Sequence, residues 1–80
     1  MDRIDSNINW DEVIKKEARG LDDEDLGEVH EVGPDYVLTQ KGTVHKHRYQ
    51  LPKNLAVKFD GNKLWFKITK DEADGYKIEN

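Results

Sequence analysis

The chain contains no cysteine, so disulfide bonds, thiol catalysis and thiolate metal sites are excluded. It also lacks an apolar run near the roughly 20 residues that a membrane-spanning helix needs. The first residues, MDRIDSNINW, have no apolar signal-peptide core, and we therefore expect a cytoplasmic location. A chain of 80 residues forms one small domain, and such a domain buries about two thirds of its unfolded surface. This modest burial favours docking on a partner or self-association, including a homodimer.

Catalytic groups are scarce as well. The one serine, Ser6, lies in an N-terminal stretch, residues 1–8, that is polar and without pattern. No nucleophile–base spacing, phosphate-binding loop or helical metal-and-base motif is present. We therefore predict a non-enzymatic protein that uses no cofactor.

The net charge of −4 argues against general nucleic-acid binding, but the charges are unevenly distributed. Residues 1–35 hold twelve acidic and four basic residues, whereas residues 36–80 hold five acidic and nine basic ones. This asymmetry suits oriented docking on a protein or head-to-tail self-contact. The alternative, favoured because charge runs are mostly solvated faces, is that the two halves interleave in the fold and the field averages out.

The predicted domain covers residues 9–76, between a disordered N-terminus (1–8) and a flexible C-terminus (77–80). Asn9 is a good N-cap residue, and Glu12 can return the hydrogen bond to the backbone. An apolar stripe at helical spacing follows, formed by Trp10, Val13 and Ile14. The pattern predicts a short N-terminal helix that ends near Lys16, with a first strand in EARGL.

The segment LDDEDLGEVHEVGPD is ambiguous. Its apolar residues Leu26, Val29 and Val32 repeat every three positions, and Gly33-Pro34 would stop a helix. However, Gly27 inside a helix costs about 1 kcal/mol relative to alanine, and a bulged strand also produces a three-residue step. The local pattern leaves both structures open.

The second half of the chain indicates strands. YVLTQ is rich in β-branched and aromatic residues, and HRYQL ends at Pro52, which cannot donate to a sheet. In AVKFDGNKLWFKIT two alternating runs flank a tight turn at residues 60–62. We expect Val57 and Phe59 to share one face of the first arm. On the second arm the core residues are Leu64, Phe66 and Ile68.

A capping box closes this hairpin. Thr69 and Glu72 have the spacing at which each side chain binds the other residue's backbone N–H. We therefore predict a C-terminal helical turn that begins where the last strand ends.

The order of these segments resembles the PRC-barrel family, and in particular its stand-alone single-domain prokaryotic members. A short helix leads into KEARGLDDEDLGEV, which combines a strand, an acidic turn and a Leu-Gly-x-Val step. A Gly-containing hairpin, YQLPKNL and FDGNKLWFKIT follow. The resemblance covers about residues 9–70. It implies a mainly β fold, a small five- to six-stranded β-barrel, and a bulged strand at LGEVHEV.

The resemblance implies a binding module and not an enzyme. Members of the family form the cytoplasmic domain of a reaction-centre subunit, contact a small-subunit protein in ribosome maturation, or contact division-site proteins in archaea. This chain has neither a transmembrane helix nor a companion domain, so only the general role carries over. The expectation is an adaptor that docks on a larger protein complex, as a cell-division or membrane-complex accessory.

Two segments contain side chains of the types that bind metals. His45 and His47 would share one face of a strand, but a site needs further ligands, and His30 could supply one only from an adjacent strand. The acidic run at residues 22–25 lacks the alternating spacing and central glycine of a calcium loop. The sequence therefore predicts no metal site: the histidines are solvated and the acidic run is a β-turn.

The alternative function is that of an RNA-associated or ribosome-assembly accessory. A local basic patch supports it, with Tyr49 and Trp65 as rings on which bases could stack. Its members are Lys41, His45, Lys46, His47 and Arg48. Nucleic acid remains the less favoured partner because the chain as a whole is acidic.

Trp65 is the most informative residue. Because its neighbours in sequence alternate with the core positions, we expect it to point outward between Lys63 and Lys67. An exposed aromatic with a basic rim is typical of an interface anchor. Contact with a basic partner region is expected on another side, at Asp23, Glu24 and Asp25. Alternatively, the N-terminal helix or the C-terminal turn with Tyr76 covers Trp65.

Overall fold

A computed structural model describes residues 8–42, 44 and 46–78. The fold of these residues is mainly β, as predicted, with a single α-helix, α1 (Lys70–Asp74). Its strands are β1 (Glu17–Arg19), β2 (Asp25–Val32), β3 (Tyr36–Lys41), β4 (His47–Pro52), β5 (Ala56–Phe59), β6 (Lys63–Phe66) and β7 (Lys77–Ile78). Three short 3₁₀ turns complete it, at Trp10–Glu12, Leu21–Asp23 and Lys53–Leu55.

All strands belong to one mixed sheet in the order β5-β6-β1-β2-β3-β4-β7. Among the strand pairs of the described residues, only that of β1 with β6 is parallel. Within the described residues the sheet is open, because no pairing joins its two end strands β5 and β7. The predicted barrel is therefore not confirmed. The sheet has seven strands instead of five or six because residues 77 and 78, expected as part of a flexible tail, pair with β4.

The sheet curves around a single core. Buried apolar residues from β1 to β6 belong to one cluster, which a flat sheet of this width could not assemble. The helix α1 contributes Ala73 to the same cluster, and the chain before β1 contributes Val13. The predicted core positions Leu64, Phe66 and Ile68 are confirmed as buried.

The ambiguous segment is a bulged strand. β2 runs through it, and its pairing with β3 shifts register between Val29 and Glu31. Gly27 adopts φ +96°, a backbone conformation that side chains disfavour. A Cβ there would lie 2.6 Å from the carbonyl oxygen of Gln40. The glycine thus permits β2 to approach β3 closely.

The N-terminal helix is much shorter than predicted. Asn9 caps it by accepting a hydrogen bond from the backbone N–H of Asp11 at 3.1 Å, but only the single 3₁₀ turn Trp10–Glu12 forms. The backbone N–H of Lys15 donates to Val29 O at 2.7 Å, and Val29 N–H donates to Lys16 O at 2.9 Å. These bonds hold the backbone of Lys15 and Lys16 against β2, and this extended contact is incompatible with a longer helix.

The β5–β6 hairpin forms as predicted, with residues 60–62 as its turn. One prediction about it is wrong. The pairing of β5 with β6 is irregular between Ala56 and Lys58, so Ala56 occupies the core face opposite Phe66. Val57 is only half-buried and lies on the outer side, whereas Phe59 packs against the core.

The capping box beyond β6 is confirmed. Thr69 Oγ1 accepts from the N–H of Glu72 at 3.1 Å, and Glu72 Oε1 accepts from the N–H of Thr69 at 3.0 Å. The helix α1 starts directly after this cap and packs against β4.

The acidic and basic halves of the chain interleave. β6, from the basic half, lies between β1 of the acidic half and β5. Glu17 of β1 is the register partner of Lys63 of β6. The charge asymmetry along the sequence is therefore not a simple separation of charge in space.

Candidate functional site

Trp65 lies on the outer face of β6, beside an open groove of about 360 Å³. We call it the Trp65 groove. Its apolar lining includes Leu21, Val57 and Trp65, and its charged rim includes Asp22, Lys58 and Lys67. Leu21 is exposed over 47% of its surface. The groove therefore presents apolar side chains to solvent with charges around them.

The parallel pairing of β1 with β6 creates this groove. Arg19 at the end of β1 is the register partner of Trp65. The next residues form the 3₁₀ turn Leu21–Asp23, and the N–H of Leu21 donates to Ile68 O at 2.9 Å. The turn is thereby fixed to the chain beyond β6, at one side of the indole. β5 bounds the opposite side through Val57 and Lys58.

The indole of Trp65 is held in place by the hairpin turn. Its Nε1–H donates to Asp60 Oδ2 at 3.0 Å. The other oxygen of Asp60 accepts from the backbone N–H groups of Asn62 and Lys63, each at 2.8 Å. The ammonium of Lys58 lies 5.7 Å from the centre of the indole ring. Trp65 is thus half-buried and oriented before any partner arrives.

Asp60 is ionised throughout the physiological range. The hydrogen bond from Trp65, followed by those from the N–H groups of Asn62 and Lys63, lowers its pKa from 3.8 to about 2. These donors stabilise the carboxylate over the neutral acid. The bond that orients the indole is consequently a charge-assisted one.

The acidic side of the groove is partly neutralised. Arg19 Nη1 lies 3.7 Å from Asp23 Oδ1 and donates to the carbonyl oxygen of Asp23 at 3.1 Å. The same guanidinium binds the Glu17 carboxylate, with Nη2 2.6 Å from Oε1. The hydrogen bond with Glu17 is the main cause that raises the pKa of Arg19. Asp23 is thus not a free acidic contact.

The predicted site residues separate into two groups. Trp65, Lys67 and Asp23 line the one groove, so the acidic turn and the aromatic-basic strip adjoin. They do not lie on different sides of the molecule, because β1 and β6 are paired neighbours. Lys63 flanks Trp65 on β6, and Glu24 precedes β2. Neither of these two residues lines the groove.

Asp25, the remaining predicted contact, has a structural role. Its Oδ1 accepts from the N–H of Gly27 at 2.9 Å, which supports the tight backbone at the start of β2.

Sequence reasoning missed Leu21, Val57 and Asp60 as parts of this site. Leu21 carried no decisive signal, because a single apolar residue beside an acidic turn is common on protein surfaces. Val57 carried none, since its position depends on the irregular pairing of β5. Asp60 was read only as a turn residue, although Asp commonly binds backbone groups in such turns.

A second groove, the Tyr76 groove, adjoins the first across Lys67. It has a volume of about 500 Å³ and is lined by Leu55, Lys67, Ile68, Glu72 and Tyr76. Tyr76 is exposed over 39% of its surface. Lys67 lines both grooves and is itself exposed, so the two apolar surfaces are separated by one lysine side chain.

The histidine positions give no support to a metal site. His47 is exposed at the start of β4, and His30 Nε2 lies 3.9 Å from Glu28 Oε1 at the surface of β2. His45 lies outside the described residues. Within the described part of the chain, no three His, Asp or Glu side chains are grouped closely enough to hold a metal.

One of the two aromatic rings proposed to stack on RNA bases is not accessible. Tyr49 is buried in the core with 4% of its surface exposed. Burial is also the main cause that raises the pKa of its hydroxyl. Tyr49 therefore cannot stack on a base as suggested, and Trp65 is the ring of that pair that reaches the surface.

The chain matches no family model, no curated protein and no solved structure. In residues 8–42, 44 and 46–78, none of the helices has the length and apolar character needed to cross a membrane.

Proposed function

We propose that this chain is a small, non-enzymatic protein-interaction module that docks on a larger protein complex through the Trp65 groove. In this proposal it is a cytoplasmic, PRC-barrel-like adaptor, an accessory of a cell-division or membrane complex. The proposal takes the family from the sequence resemblance, and the chain has the same order of elements as the segments that carry it: a 3₁₀ turn, a strand, an acidic turn, a bulged strand and an Asp-Gly hairpin.

The observation that carries this proposal is the fixed orientation of Trp65 in an open groove. Tryptophan is enriched among the residues that dominate interface energetics, and its truncation often costs 2 kcal/mol or more. A side chain that is ordered in advance also loses less conformational entropy when a partner binds. Asp60 supplies that order through the indole N–H, while Leu21 and Val57 provide apolar walls.

The lysines around the groove add selectivity. Lys58 and Lys67 are exposed, and no carboxylate of the described residues forms an ion pair with either. Rim charges of this kind raise association rates and discriminate between partners more than they add affinity.

A pull-down with the tagged 80-residue chain tests the proposal. Lysate of the native host is applied at physiological salt, with and without nuclease, to the wild type, Trp65→Ala and Ile14→Ala. Ile14 is an exposed apolar residue that lines neither groove, so its truncation is the matched control. We expect discrete proteins to remain after nuclease on the wild type and on Ile14→Ala, and to be lost from Trp65→Ala.

Two results contradict the proposal. Equal retention by wild type and Trp65→Ala would separate any binding from the groove. Ribosomal proteins that are lost on nuclease treatment would favour the RNA-associated accessory instead. Circular dichroism of Trp65→Ala shows whether the variant keeps the fold of the wild type.

A further inference from the structure

Asp60 is followed by Gly61, and an aspartate side chain cyclises on the backbone most readily before glycine, which leaves its own nitrogen unshielded. In this reaction the backbone nitrogen of Gly61 attacks Cγ of Asp60. The amide proton leaves with the hydroxyl of the neutral carboxyl group as one molecule of water, which closes a succinimide ring. Water then opens the ring at either carbonyl. One opening restores aspartate, and the other gives isoaspartate, in which the backbone runs through the former side chain.

The nucleophile of this reaction is free in the hairpin turn. Asp60 and Gly61 are both exposed. In the described structure the N–H groups of Asn62 and Lys63 donate to Asp60, but that of Gly61 donates to no acceptor. A Cβ at position 61 would meet no atom within 4 Å, so the space beside the turn is open. The nitrogen of Gly61 is therefore accessible to the neighbouring carboxyl group.

The second Asp-Gly pair of the chain, Asp74-Gly75, lacks this free nucleophile. Asp74 is the last residue of α1, and the N–H of Gly75 donates to Glu72 O at 3.1 Å. Both residues of the pair are exposed, as at the hairpin turn. The two pairs thus share their sequence and their exposure and differ in the hydrogen bond of the attacking nitrogen, which makes Asp74 an internal reference for Asp60.

The carboxyl group of Asp60, in contrast, is restrained. Its Oδ2 accepts from the indole N–H of Trp65 at 3.0 Å, and its Oδ1 accepts from two backbone N–H groups of the turn. Cyclisation removes one of these oxygens, so it breaks hydrogen bonds that the fold has made. The same donors lower the pKa of Asp60 from 3.8 to about 2. The neutral acid, which is the form that loses water, is therefore scarce at neutral pH.

We propose that Asp60-Gly61 is a site of spontaneous isoaspartate formation, and that the hydrogen bond from Trp65 slows this reaction. The two backbone donors belong to the turn and stay beside the carboxyl group as long as the turn forms. The indole is the donor that a side-chain substitution can remove while the turn remains. Trp65 accordingly protects the same carboxylate that orients its indole.

Isoaspartate at position 60 would disturb the Trp65 groove. The backbone of the turn gains one carbon atom, and the carboxylate becomes a short branch on the Cα atom. This carboxylate can no longer hold the turn and the indole in the geometry that the Asp60 side chain provides. We therefore expect the modified chain to lose docking strength. This consequence rests on the proposed function, whereas the chemical change at Asp60 does not.

Ageing of the 80-residue chain at neutral pH and physiological temperature tests the proposal. Trypsin places Asp60 in peptide 59–63 and Asp74 in peptide 71–77, and electron-transfer fragmentation distinguishes isoaspartate from aspartate in each. We expect isoaspartate to form at Asp60 at least about threefold faster in Trp65→Phe than in the wild type, because the neutral acid is more populated. Trp10→Phe should match the wild type, and the rate at Asp74 should be the same in all three chains.

Asp60→Asn tests the access of the nucleophile separately. An amide side chain cyclises with loss of ammonia and has no carboxylate form that must first be protonated. Its deamidation therefore reports whether the nitrogen of Gly61 reaches Cγ in the folded chain. We expect position 60 of this variant to deamidate faster than Asn62, which lies in the same tryptic peptide. Circular dichroism before ageing shows whether each variant keeps the fold of the wild type.

Several results would overturn the proposal. Equal rates at Asp60 in the wild type and in Trp65→Phe would remove the protective role of the indole. Isoaspartate at Asp74 but not at Asp60, or a new amide at position 60 that is as stable as Asn62, would show that the nitrogen of Gly61 does not reach the side chain. Capture of partner proteins is measured with freshly prepared chain, so its loss rejects the proposed function whatever the ageing shows. The two failures can therefore be told apart.

Discussion

Trp65 Nε1 donates a 3.0 Å hydrogen bond to Asp60 Oδ2, which joins the turn of the β5–β6 hairpin to the floor of the Trp65 groove. Asp60 Oδ1 binds the turn itself, at the N–H groups of Asn62 and Lys63. One carboxylate thus sets both the local backbone and the orientation of the proposed anchor. The orientation of Trp65 therefore depends on a turn whose residues lie within a few positions of one another in the sequence.

The pKa of Asp60 reports directly on this bond. In Trp65→Phe the largest cause of the lowered pKa is removed, so we expect the value to rise from about 2 toward 3.8 while the two backbone donors remain. Carbon-detected NMR titration of the carboxyl group measures this change. Trp10→Phe, which replaces the other tryptophan, should leave the pKa of Asp60 unaltered. An unchanged value in Trp65→Phe would contradict the assigned bond.

Acid should release the indole. Because the folded-state pKa of Asp60 is lower than 3.8, its stabilising contribution is fully present above pH 3.8 and is lost as the pH falls through about 2. The indole N–H proton resonance of Trp65 should therefore shift with a midpoint near pH 2. In Asp60→Asn this acid transition should disappear. The absence of this transition, or a midpoint clearly above 2, would show that the indole does not bind Asp60 in solution.

Gly27 should tolerate substitution less well than Gly61. Both have positive φ, +96° and +98°, so alanine is strained at either position. At Gly27 the added Cβ would also lie 2.6 Å from Gln40 O, whereas at Gly61 no atom lies within 4 Å. We expect Gly27→Ala to lower the free energy of unfolding by about 2 kcal/mol or more, and Gly61→Ala by about 1 kcal/mol. Urea denaturation measures both; equal losses would contradict the close approach of β2 and β3.

The cap of α1 should contribute measurably to stability. Thr69→Ala removes the side-chain acceptor for the N–H of Glu72, and we expect a loss of about 1 kcal/mol in the free energy of unfolding. Thr69→Ser keeps the hydroxyl and is the matched control. If the two variants unfold at the same urea concentration, the cap does not stabilise the fold.

Alanine substitutions at two leucines should have different effects, one on the free energy of unfolding and the other on partner binding. Leu64 is fully buried in the core, and Leu64→Ala should cost about 2–5 kcal/mol. Leu21 is half-exposed in the Trp65 groove, so Leu21→Ala should change stability by less than about 0.5 kcal/mol. Leu21→Ala should instead weaken capture of the protein partner. A large stability loss in Leu21→Ala would make this residue part of the core rather than of an interface.

Structural features that depend only on residues close together in the sequence could be predicted. The Asp-Gly turn, the alternation around Trp65 and the capping box depend on residues within a few positions of each other, and all three are present. The N-terminal helix was predicted too long, because the backbone of Lys15 and Lys16 binds β2, which no local pattern reveals. Val57 was placed on the wrong face, since one irregular pair in β5 reverses the alternation.

The arrangement of the site depends on long-range pairing. The outward direction of Trp65 follows from the alternation of side chains along β6. The identity of the residues that surround it in space does not. The parallel contact of β1 with β6 joins residues that are almost fifty positions apart, and it places the turn with Leu21 beside the indole. Sequence patterns identify strands much better than they identify which strands pair.

Site-specific photo-crosslinking in the native host tests the central claim most directly. A benzophenone side chain is introduced at Leu21 in the Trp65 groove or, as a control, at exposed Lys77 on the opposite edge of the sheet. If the groove is the docking surface, position 21 yields discrete protein adducts that are lost when Trp65→Ala is combined with it, and position 77 yields none of them. Adducts of equal strength from both positions, or adducts at position 21 that persist in Trp65→Ala, would contradict docking through the Trp65 groove.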